Sequence, residues 1–388
     1  MEHILACTGH ELKLPDIVNS DGIHVFDSSG NRYVDLTSGV WCTALGHRHP
    51  RVDRAMKKQA GAVAHTGFCY SNPVVDRAAA QLLSVTDIQN GKCVFLSSGS
   101  EAVEILRQIS ACLAGRQNSL VLHDAYLGSY ASTIDRARGW HIVNWENCPD
   151  CPKNNTCDPG CDVVRHIPGD ISEFIFEPGS ASGFVRFPPP GLIRTLADIV
   201  RKNNGRIIVN EVTTGIGRTG KWFGYQHYGI LPDMIAVGKG LGNGYPVSAA
   251  VMGHDIAQGL EEKGFKYAQS HQNDPLGAAV AYAVLQTMRD EQLVEQSAER
   301  GSRFMSMLKA LVDGKTVTGV RGRGMMFAVD PATPEIGDAI YEALLQKGYI
   351  VCNRSGLLRM DPPLVTDDET LQDVVEAFKA AITSVKEK

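Results

Sequence analysis

The sequence has no apolar run as long as the roughly 18 residues that a membrane-spanning helix needs. It also has no excess of basic residues, because 38 Lys and Arg stand against 43 Asp and Glu, a formal net charge of −5. Nucleic-acid-binding domains usually carry the opposite balance. We therefore expect neither a membrane span nor a nucleic-acid partner, and any anionic ligand must be bound by local groups.

The first residues lack the basic start and apolar stretch of a secretory signal peptide. We therefore expect a cytoplasmic protein. In a reducing compartment its 10 cysteines are more typical of thiols or metal ligands than of disulfides. Internal repeats and low-complexity segments are absent from the sequence as well.

Helical and strand patterns alternate between about residue 50 and residue 285, which predicts an α/β fold with helices covering a mainly parallel sheet. Three short apolar strands are predicted at Phe174–Phe176, Arg206–Val209 and Met234–Val237. Each is followed at once by polar residues or by glycine and lysine. Open α/β sheets bind ligands at the carboxyl ends of their strands, so we expect a site there.

The two ends of the chain predict a smaller α+β domain. Residues 286–388 change to helices and short strands, and residues 1–44 precede the alternating region. We predict that these two parts form one small domain, and that residues 45–285 form the large domain. A cysteine-rich insert at residues 146–162 interrupts the large domain.

Ser98, Gly99 and Ser100 lie between a predicted strand and a predicted helix. Backbone N–H groups and hydroxyls at a helix N-terminus suit a phosphate group, and glycine lets the backbone approach it closely. The same pattern is also typical of an ordinary helix cap. Taken alone, the segment fits either interpretation.

Lys239 follows the third predicted strand and is surrounded by glycines at positions 238, 240, 242 and 244. A surface lysine needs no such neighbours. A lysine that forms an imine needs a neutral amine, and hence a desolvated or electropositive site, together with close contact to a flat ring. This segment is therefore a candidate for covalent attachment of an aldehyde cofactor.

Several segments, in order along the chain, closely resemble the motifs of class III aminotransferases. They are Asp35-Leu36-Thr37-Ser38-Gly39, Gly46-His47-Arg48-His49-Pro50, Ser98-Gly99-Ser100-Glu101-Ala102, Tyr126-Leu127-Gly128, Glu177-Pro178, Glu211-Val212, Gly215-Ile216-Gly217-Arg218-Thr219-Gly220, Pro232-Asp233, Lys239, Arg321-Gly322-Arg323-Gly324 and Arg359-Met360-Asp361-Pro362-Pro363-Leu364. The resemblance covers about nine tenths of the chain. It implies the fold type I of pyridoxal-phosphate-dependent transferases, with a seven-stranded sheet in the large domain.

The resemblance implies a role for each matching site residue. Lys239 carries pyridoxal 5′-phosphate as a Schiff base and then moves a proton between the substrate and the cofactor. The other cofactor-binding positions are implied to be Ser98, Gly99 and Ser100 at the phosphate, Tyr126 on the ring, and Asn210 and Val212. Ser270 stands where the family has a threonine that reaches the phosphate of the neighbouring subunit, which implies a homodimer with shared sites.

The implied activity is transfer of an amino group between an amine or ω-amino acid and a keto acid, by a ping-pong mechanism. Arg359 resembles the arginine that binds a substrate carboxylate in many members, since its planar fork suits a bidentate contact; a surface salt bridge is the other interpretation. Trp41 resembles the aromatic wall of the ω-amine subgroup, although a core tryptophan fits as well. The loop after Glu177 lacks the second glutamate that some members use to neutralise an arginine.

Asn210 departs from the family, which has an aspartate paired with the pyridine nitrogen of the cofactor. A neutral amide cannot keep that nitrogen protonated by charge pairing, but its NH₂ group can donate to an unprotonated nitrogen. The ring would then be a weaker electron acceptor. Two hypotheses follow: an aminotransferase with a replaced residue, or a racemase, lyase or other non-transaminating enzyme on the same fold.

The second departure is the segment that holds Cys148, Cys151, Cys157 and Cys161. Four thiols within so short a segment, among prolines and a glycine, suit a closed structural Zn²⁺ site. A loop of free or disulfide-paired cysteines fits the same pattern. If a metal is bound there, we expect it to order the loop and to take no part in the chemistry.

Overall fold

The computed structural model describes residues 3, 12–14, 16–151, 157–158, 160–180 and 183–386. Its strands are β1 (Ile17–Asp21), β2 (His24–Asp27), β3 (Arg32–Asp35), β4 (Lys92–Leu96), β5 (Ser119–Leu122), β6 (Trp140–Val143), β7 (Glu173–Phe176), β8 (Arg206–Asn210), β9 (Met234–Val237), β10 (Ser248–Met252), β11 (Val317–Gly322), β12 (Phe327–Pro331), β13 (Tyr349–Ile350), β14 (Cys352–Arg354) and β15 (Leu357–Met360).

The helices lie between these strands, mostly on the faces of the sheet. They are α1 (Ser38–Trp41), α2 (Pro50–Ala60), α3 (Pro73–Leu83), α4 (Gly99–Ala114), α5 (Ala131–Ile134), α6 (Pro190–Lys202), α7 (His254–Glu262), α8 (Pro275–Asp290), α9 (Leu293–Lys309), α10 (Pro334–Gln346) and α11 (Asp368–Lys386). Two 3₁₀ turns lie at Gly224–His227 and Lys239–Gly242.

A central sheet of seven strands carries the site, in the order β4-β10-β9-β8-β7-β5-β6. Only β10 runs antiparallel to its neighbours β4 and β9. Every residue of β5, β7 and β9 is buried, because helices cover both faces of the sheet. The seven-stranded, mainly parallel sheet that the sequence predicts is therefore present.

The carboxyl ends of neighbouring strands bring the motif residues to one edge of this sheet. Strand β8 ends at Asn210, β9 ends two residues before Lys239, and β7 ends just before Glu177. Strand β4 ends two residues before Ser98, which is the N-cap of α4. The predicted strand limits differ from the observed ones by at most one residue, since continuous burial makes these apolar runs easy to delimit.

Both ends of the chain contribute to one small sheet, in the order β1-β2-β3-β13. Strand β13 pairs in parallel with β3, with Tyr349 opposite Val34 and Ile350 opposite Asp35. A second small sheet has the order β11-β12-β15-β14. The predicted large-domain limit at residue 285 falls inside helix α8, so the domain limits stay predictions.

The segment α1 is a turn of left-handed backbone. Ser38 and Trp41 have φ of 49° and 67°, and Gly39 and Val40 between them have φ of 54° and 61°. Each non-glycine residue in this conformation costs about 1–2 kcal/mol, and a β-branched residue such as Val40 is a rare occupant. The surrounding structure must therefore stabilise the turn.

Asp35 supplies much of that stabilisation. Its Oδ1 accepts hydrogen bonds from N and Oγ1 of Thr37 (2.9 and 2.7 Å), and its Oδ2 accepts one from N of Gly39 (2.8 Å). Nε2 of His47 lies 3.0 Å from Oδ2. Burial raises the pKa of Asp35, but the hydrogen bonds outweigh burial, and the net pKa lies below its ordinary value. The opening motif thus fixes the turn that carries Trp41.

A search of the described residues for a helix long and apolar enough to cross a membrane finds none.

Candidate active site

A cavity of about 210 Å³ lies at the carboxyl edge of the central sheet. Its lining residues are Gly99, Ser100, Val103, Tyr126, Leu127, Gly128, Asn210, Val212, Thr213 and Lys239. These residues come from the ends of strands β8 and β9, the start of α4 and the loop after β5. The cavity therefore collects most of the residues that the sequence indicates for a cofactor.

The Lys239 amine is partly buried at this cavity, and its Nζ lies 3.1 Å from Oγ1 of Thr213. Burial lowers the pKa of Lys239, and the nearby charge of Arg359 lowers it further, whereas Glu177, Cys42 and Asp361 oppose the shift. Lys239 is thus closer to the neutral amine than a surface lysine would be. A neutral amine is the form that attacks a carbonyl carbon.

The start of helix α4 forms one end of the cavity. Oγ of Ser98 accepts a hydrogen bond from N of Glu101 (3.2 Å), and N of Ser98 donates to Oε2 of Glu101 (2.9 Å), which is a capping box. Ser98 does not line the cavity. Among the described residues, the backbone N–H groups of Gly99 and Ser100 have no recorded acceptor. Those two groups, with the positive end of the helix dipole, suit an anion.

Ser100 adds a hydroxyl to this anion site. Its Oγ accepts a hydrogen bond from N of Ser129 at 3.1 Å, so its own proton is available to a further acceptor. Gly99 is required because a Cβ there would lie 2.5 Å from Cγ1 of Val212. Gly128 is required as well, since its φ is 107° and a Cβ there would lie 2.8 Å from Oγ of Ser100.

The middle of the cavity is lined by Val212 and Tyr126. Val212 packs against Gly99, and the Tyr126 side chain is 43% exposed. The hydroxyl of Tyr126 lies 2.8 Å from Oγ of Ser129, and its backbone N donates to Oε2 of Glu177 at 3.1 Å. An apolar side chain and an aromatic ring at the same cavity suit a flat, ring-shaped ligand.

Asn210 is only 4% exposed, and two hydrogen bonds fix its side chain. Its Nδ2 donates to O of Tyr126 at 2.8 Å, and its Oδ1 accepts from N of Val212 at 3.2 Å. The reversed amide would place two acceptors together and two donors together, so this orientation is strongly preferred. One N–H of Asn210 remains for the cavity, where it can donate to a ring nitrogen that carries no proton.

Trp41 stands between Lys239 and Arg359. The Lys239 Nζ lies 5.4 Å from the centre of the indole ring, and the Arg359 guanidinium carbon lies 3.6 Å from it. Nε of Arg359 donates to Oδ2 of Asp361 at 2.6 Å. Arg359 is 5% exposed and Asp361 is fully buried, so Arg359 does not take part in a surface salt bridge.

Ser270 lies outside the Lys239 cavity on an exposed turn. Near it, Nδ1 of His65 and Nδ1 of His271 lie 2.5 and 2.6 Å from the two carboxylate oxygens of Asp274. The potential metal-ligand atoms of these three residues lie within 4.8 Å of one another, and no second group of this kind occurs in the described part of the chain. The proposed contact of Ser270 with a second subunit stays a prediction.

The four cysteines of the insert lie on tight turns. N of Cys151 donates to O of Cys148 at 3.2 Å, and N of Cys161 donates to O of Asp158 at 3.0 Å. All four are free thiols. Among the described residues, no three of these thiols lie close enough together to hold a metal ion as they stand.

Two site residues are missing from the sequence-based set. Thr213 directly follows Val212, and its hydroxyl at a strand end was a usable signal. Asp361 lies two positions after Arg359, a spacing that places side chains on one face of an extended segment. The position of Asp361 also depends on its contacts with Leu36 and Ser38, near the other end of the chain. Local sequence patterns do not reveal these contacts.

The sequence model of the family described as aminotransferase class-III matches residues 7–135 and 152–382, nearly the whole chain. The chain belongs to this family. The match omits residues 136–151, which hold Cys148 and Cys151 and include the start of the cysteine-rich insert. The resemblance that the sequence motifs indicate is thereby confirmed.

Curated relatives of this class III aminotransferase carry consistent names. The acetylornithine aminotransferase of Methanopyrus kandleri is 29% identical over 94% of each chain. The acetylornithine aminotransferase of Corynebacterium efficiens is 30% identical over 95% of this chain and 93% of its own. A [LysW]-aminoadipate semialdehyde/glutamate semialdehyde transaminase of Sulfurisphaera tokodaii is 27% identical over 96% of each. None of these names favours the racemase or lyase hypothesis.

Solved structures confirm the fold. A Bacillus anthracis aminotransferase has a TM-score of 0.88 and 23% identity, covering 95% of this chain and 93% of its own. The ornithine aminotransferase of Toxoplasma gondii has a TM-score of 0.84 and 25% identity, covering 98% and 93%. The chain therefore has fold type I and belongs to a family of aminotransferases, as the sequence predicts.

Family membership implies pyridoxal phosphate as the cofactor, and the cavity fits it. The unpaired N–H groups of Gly99 and Ser100 suit its phosphate, and the Lys239 amine suits its aldehyde. Val212 and Tyr126 line the space for its ring. Asn210 offers a donor, rather than a carboxylate, to its ring nitrogen.

Proposed function

We propose that this class III aminotransferase takes the amino group from an amine or ω-amino acid in one half-reaction and passes it to a keto acid in the next. The observation that carries the proposal is the position of the Lys239 amine, which lines the cavity after strand β9 with its Nζ 3.1 Å from Oγ1 of Thr213; burial lowers the pKa of this amine. The relative named for acetylornithine supports a donor of this kind, and the relative named for semialdehydes, which are the carbonyl forms of ω-amines, supports the same transfer.

Each side chain has a role in moving a proton or excluding water. Bound pyridoxal phosphate supplies a ring that takes up the electron pair left when the substrate carbon loses a proton. The Lys239 amine takes that proton and returns it at a second position, and Thr213 orients Nζ through the 3.1 Å contact. Trp41 forms an apolar wall beside the amine, which restricts the access of water.

Asn210 gives the racemase or lyase hypothesis its only structural support. An amide donor lets the ring nitrogen stay unprotonated, which makes the ring a weaker electron acceptor. We favour aminotransfer over these alternatives because the other cavity residues match the motifs of the family. The two hypotheses differ in whether the cofactor itself ends up carrying the amino group.

The test is a visible absorbance titration of the protein reconstituted with pyridoxal phosphate. Amines and ω-amino acids are added one at a time, without a keto acid. We expect the absorbance to convert to that of the amine form of the cofactor and to return when a keto acid is added. Turnover of the donor with an unchanged cofactor spectrum would contradict aminotransfer and support a racemase or lyase.

Lys239→Ala provides the matching variant. It should bind the cofactor more weakly and show no conversion with any donor, because the proton acceptor is gone. Lys221→Ala, which removes an exposed lysine of the same domain, should behave like the unmodified protein. Equal loss in both variants would show that the effect does not arise from Lys239.

We infer that the enzyme is a cytoplasmic homodimer. Phe68 and Tyr70 are 57% and 77% exposed, and they lie a few residues after His65, which contacts Asp274 in the segment that follows Ser270. Exposed aromatic side chains are enriched at protein interfaces. If a second copy covered this face, Ser270 of one subunit would lie near the phosphate site of the other subunit.

We also propose that the cysteine-rich insert binds Zn²⁺ through Cys148, Cys151, Cys157 and Cys161. Three of these side chains, all except Cys151, pack against the edge of the core, which limits how far they can separate. A metal would have to draw the four sulfur atoms closer together. Elemental analysis of the purified protein tests this: about one zinc per chain is expected, and its absence under metal-replete expression would contradict it.

A further inference from the structure

The strongest unexplained feature near the site is a buried pair, Arg359 and Asp361. Nε of Arg359 lies 2.6 Å from Oδ2 of Asp361, and the two residues are 5% and 0% exposed. Within the described residues, Nε is the one Arg359 nitrogen with a recorded hydrogen bond. The two Nη groups therefore remain available to another acceptor.

The position of Asp361 is fixed independently of Arg359. Its backbone N donates to O of Leu36 at 2.6 Å, and its backbone O accepts from Oγ of Ser38 at 2.5 Å. Both partners lie in or next to the left-handed turn that carries Trp41. The indole ring in turn packs on the Arg359 guanidinium at 3.6 Å. These contacts hold the Asp361 carboxylate in a fixed position beside the Arg359 guanidinium.

Gly183, which follows Glu177 in the next loop, lies close to the arginine. A Cβ on Gly183 would be 3.5 Å from Nη1 of Arg359, so this loop reaches the guanidinium. The loop sequence carries no acidic residue between Glu177 and Gly183. The negative charge beside Arg359 therefore comes from Asp361, on its own strand, and not from the loop.

We propose that Asp361 is a permanent counter-ion of Arg359 that sets how strongly the site holds the carboxylate of a donor, a proposal that rests on the aminotransferase function above. A lone buried guanidinium would bind a donor carboxylate strongly and would reject a neutral donor of the same shape. The Asp361 carboxylate already neutralises that charge. The enzyme should therefore accept amines without a carboxylate as well as ω-amino acids.

The geometry also makes Asp361 a positioning residue. Its bond to Nε leaves the two Nη groups as the free edge of the fork, so a donor carboxylate can bind only at that edge. Arg218 carries a second positive charge near Asp361, and its Nη1 donates to O of Pro362 at 2.5 Å. Both Nη groups of Arg218 are hydrogen bonded within the protein. Arg359 is therefore the arginine that can bind the carboxylate of a substrate.

The experiment compares 4-aminobutyrate with 4-aminobutanamide as donors to the reconstituted enzyme, for the unmodified chain and for Asp361→Asn. These donors differ only in a carboxylate and a neutral amide. We expect Asp361→Asn to raise the preference for 4-aminobutyrate in kcat/KM by about tenfold, mainly through a lower KM. A purely structural role for Asp361 would lower kcat/KM for both donors equally, and that result would overturn the proposal.

Asp330→Asn is the matched control. Asp330 pairs with Arg321 on the neighbouring strands β11 and β12, and both side chains are about one-third exposed. The same substitution there should leave the donor preference unchanged. An equal rise in preference in both variants would overturn the proposal, since it would then reflect net charge rather than contact with Arg359.

Two measurements keep the test independent of folding and of turnover. If Asp361→Asn is too unstable to purify, Arg359→Met combined with Asp361→Met removes both partners, and it should fold and lose the discrimination between the donors. Calorimetric titration with butyrate and butanamide measures the carboxylate preference without any reaction. If no donor converts the cofactor but Asp361→Asn still binds butyrate more tightly, the proposed function fails and the role of Asp361 stands.

Discussion

The environment of Asn210 is adapted to an amide. The backbone O of Tyr126 lies 2.8 Å from Nδ2, so a carboxylate oxygen placed there would face another acceptor. An aspartate would have to give up this position or carry a proton. The departure from the family at this residue is therefore matched by its surroundings.

Asn210→Asp should make the enzyme faster and less stable. A carboxylate would favour a protonated ring nitrogen, so the half-reaction with an amino donor should accelerate about tenfold. The repulsion from O of Tyr126 should cost about 1–3 kcal/mol of unfolding free energy. Stopped-flow absorbance and denaturant unfolding measure the two effects, and an unchanged half-reaction rate would show that Asn210 does not limit proton transfer.

His227 should make the stability depend on pH. Burial lowers its pKa from 6.5 to about 4, with smaller effects of Arg323 and Lys221, and its Nε2 lies 3.1 Å from O of Thr219. Between those two pH values the unfolded chain binds more protons, so stability falls as the pH drops from 6.5 towards 4. The loss is on the order of 2 kcal/mol after allowance for screening.

His227→Gln should remove this part of the pH dependence. The glutamine amide can still donate to O of Thr219, but it does not titrate. Unfolding by urea between pH 4 and pH 7 measures the difference between the two proteins. Identical pH profiles would show that His227 keeps a normal pKa in the folded state.

Sequence motifs predicted the lysine, the glycine-containing phosphate turn and the unusual amide, because each is a short contiguous pattern next to a strand end. They left open whether Ser98 would serve as a helix cap, which the structure shows it does, and they did not predict that Asp361 would pair with Arg359. Those outcomes depend on competition between partners in space. The backbone N and the hydroxyl of Ser98 are already hydrogen bonded to Glu101, so they are not directed at a ligand.

At the scale of single elements, the left-handed turn Ser38–Trp41 is the most strained segment of the site. It aims Trp41 between the lysine and the arginine, and backbone strain of this kind persists only where the surroundings enforce it. Its cost falls most heavily on Val40, which is 55% exposed and so gains little from packing.

Val40→Gly should stabilise the protein by about 1 kcal/mol, because glycine adopts φ of 61° without a steric penalty. Thermal unfolding followed by circular dichroism measures the change. Val312→Gly is the control: Val312 is 39% exposed but is not among the residues of positive φ, so the same substitution there should destabilise. Destabilisation at both positions would mean that Val40 is not strained.

The sequence predicted strands β7, β8 and β9 closely but gave no sign of the left-handed turn. Fully apolar runs between polar residues delimit a buried strand well. A handed turn leaves no periodicity, and Val40 is a residue that normally avoids it. Asp35 and His47 lie in recognisable motifs, but their task of fastening the turn is visible only in the structure.

At the scale of the whole molecule, the fold is assembled from distant parts of the chain. Strand β3 pairs with β13, and Asp361 joins Leu36 and Ser38 to the C-terminal segment. The pattern of elements predicted the large sheet and a small domain made from both ends. Its domain limits could not be placed because helix α8 runs across the expected border.

The dimer proposal makes a direct prediction about mass. Light scattering of the reconstituted enzyme should give twice the chain mass of 42.0 kDa. Tyr70→Glu, which places a charge on the exposed aromatic face, should shift the protein towards monomer and lower its affinity for the cofactor phosphate. A monomeric, fully active enzyme would exclude a shared site and would leave Ser270 without a role.

The pairing of β3 with β13 also sets an order of events at the ribosome. Roughly 300 residues must emerge after Asp35 before its partner Ile350 is available, so the edge of β3 waits unpaired for most of translation. The lysine and its cavity belong to segments that are complete earlier. The nascent chain can thus shape the cofactor end of the site first, and the arginine that meets the substrate is added last.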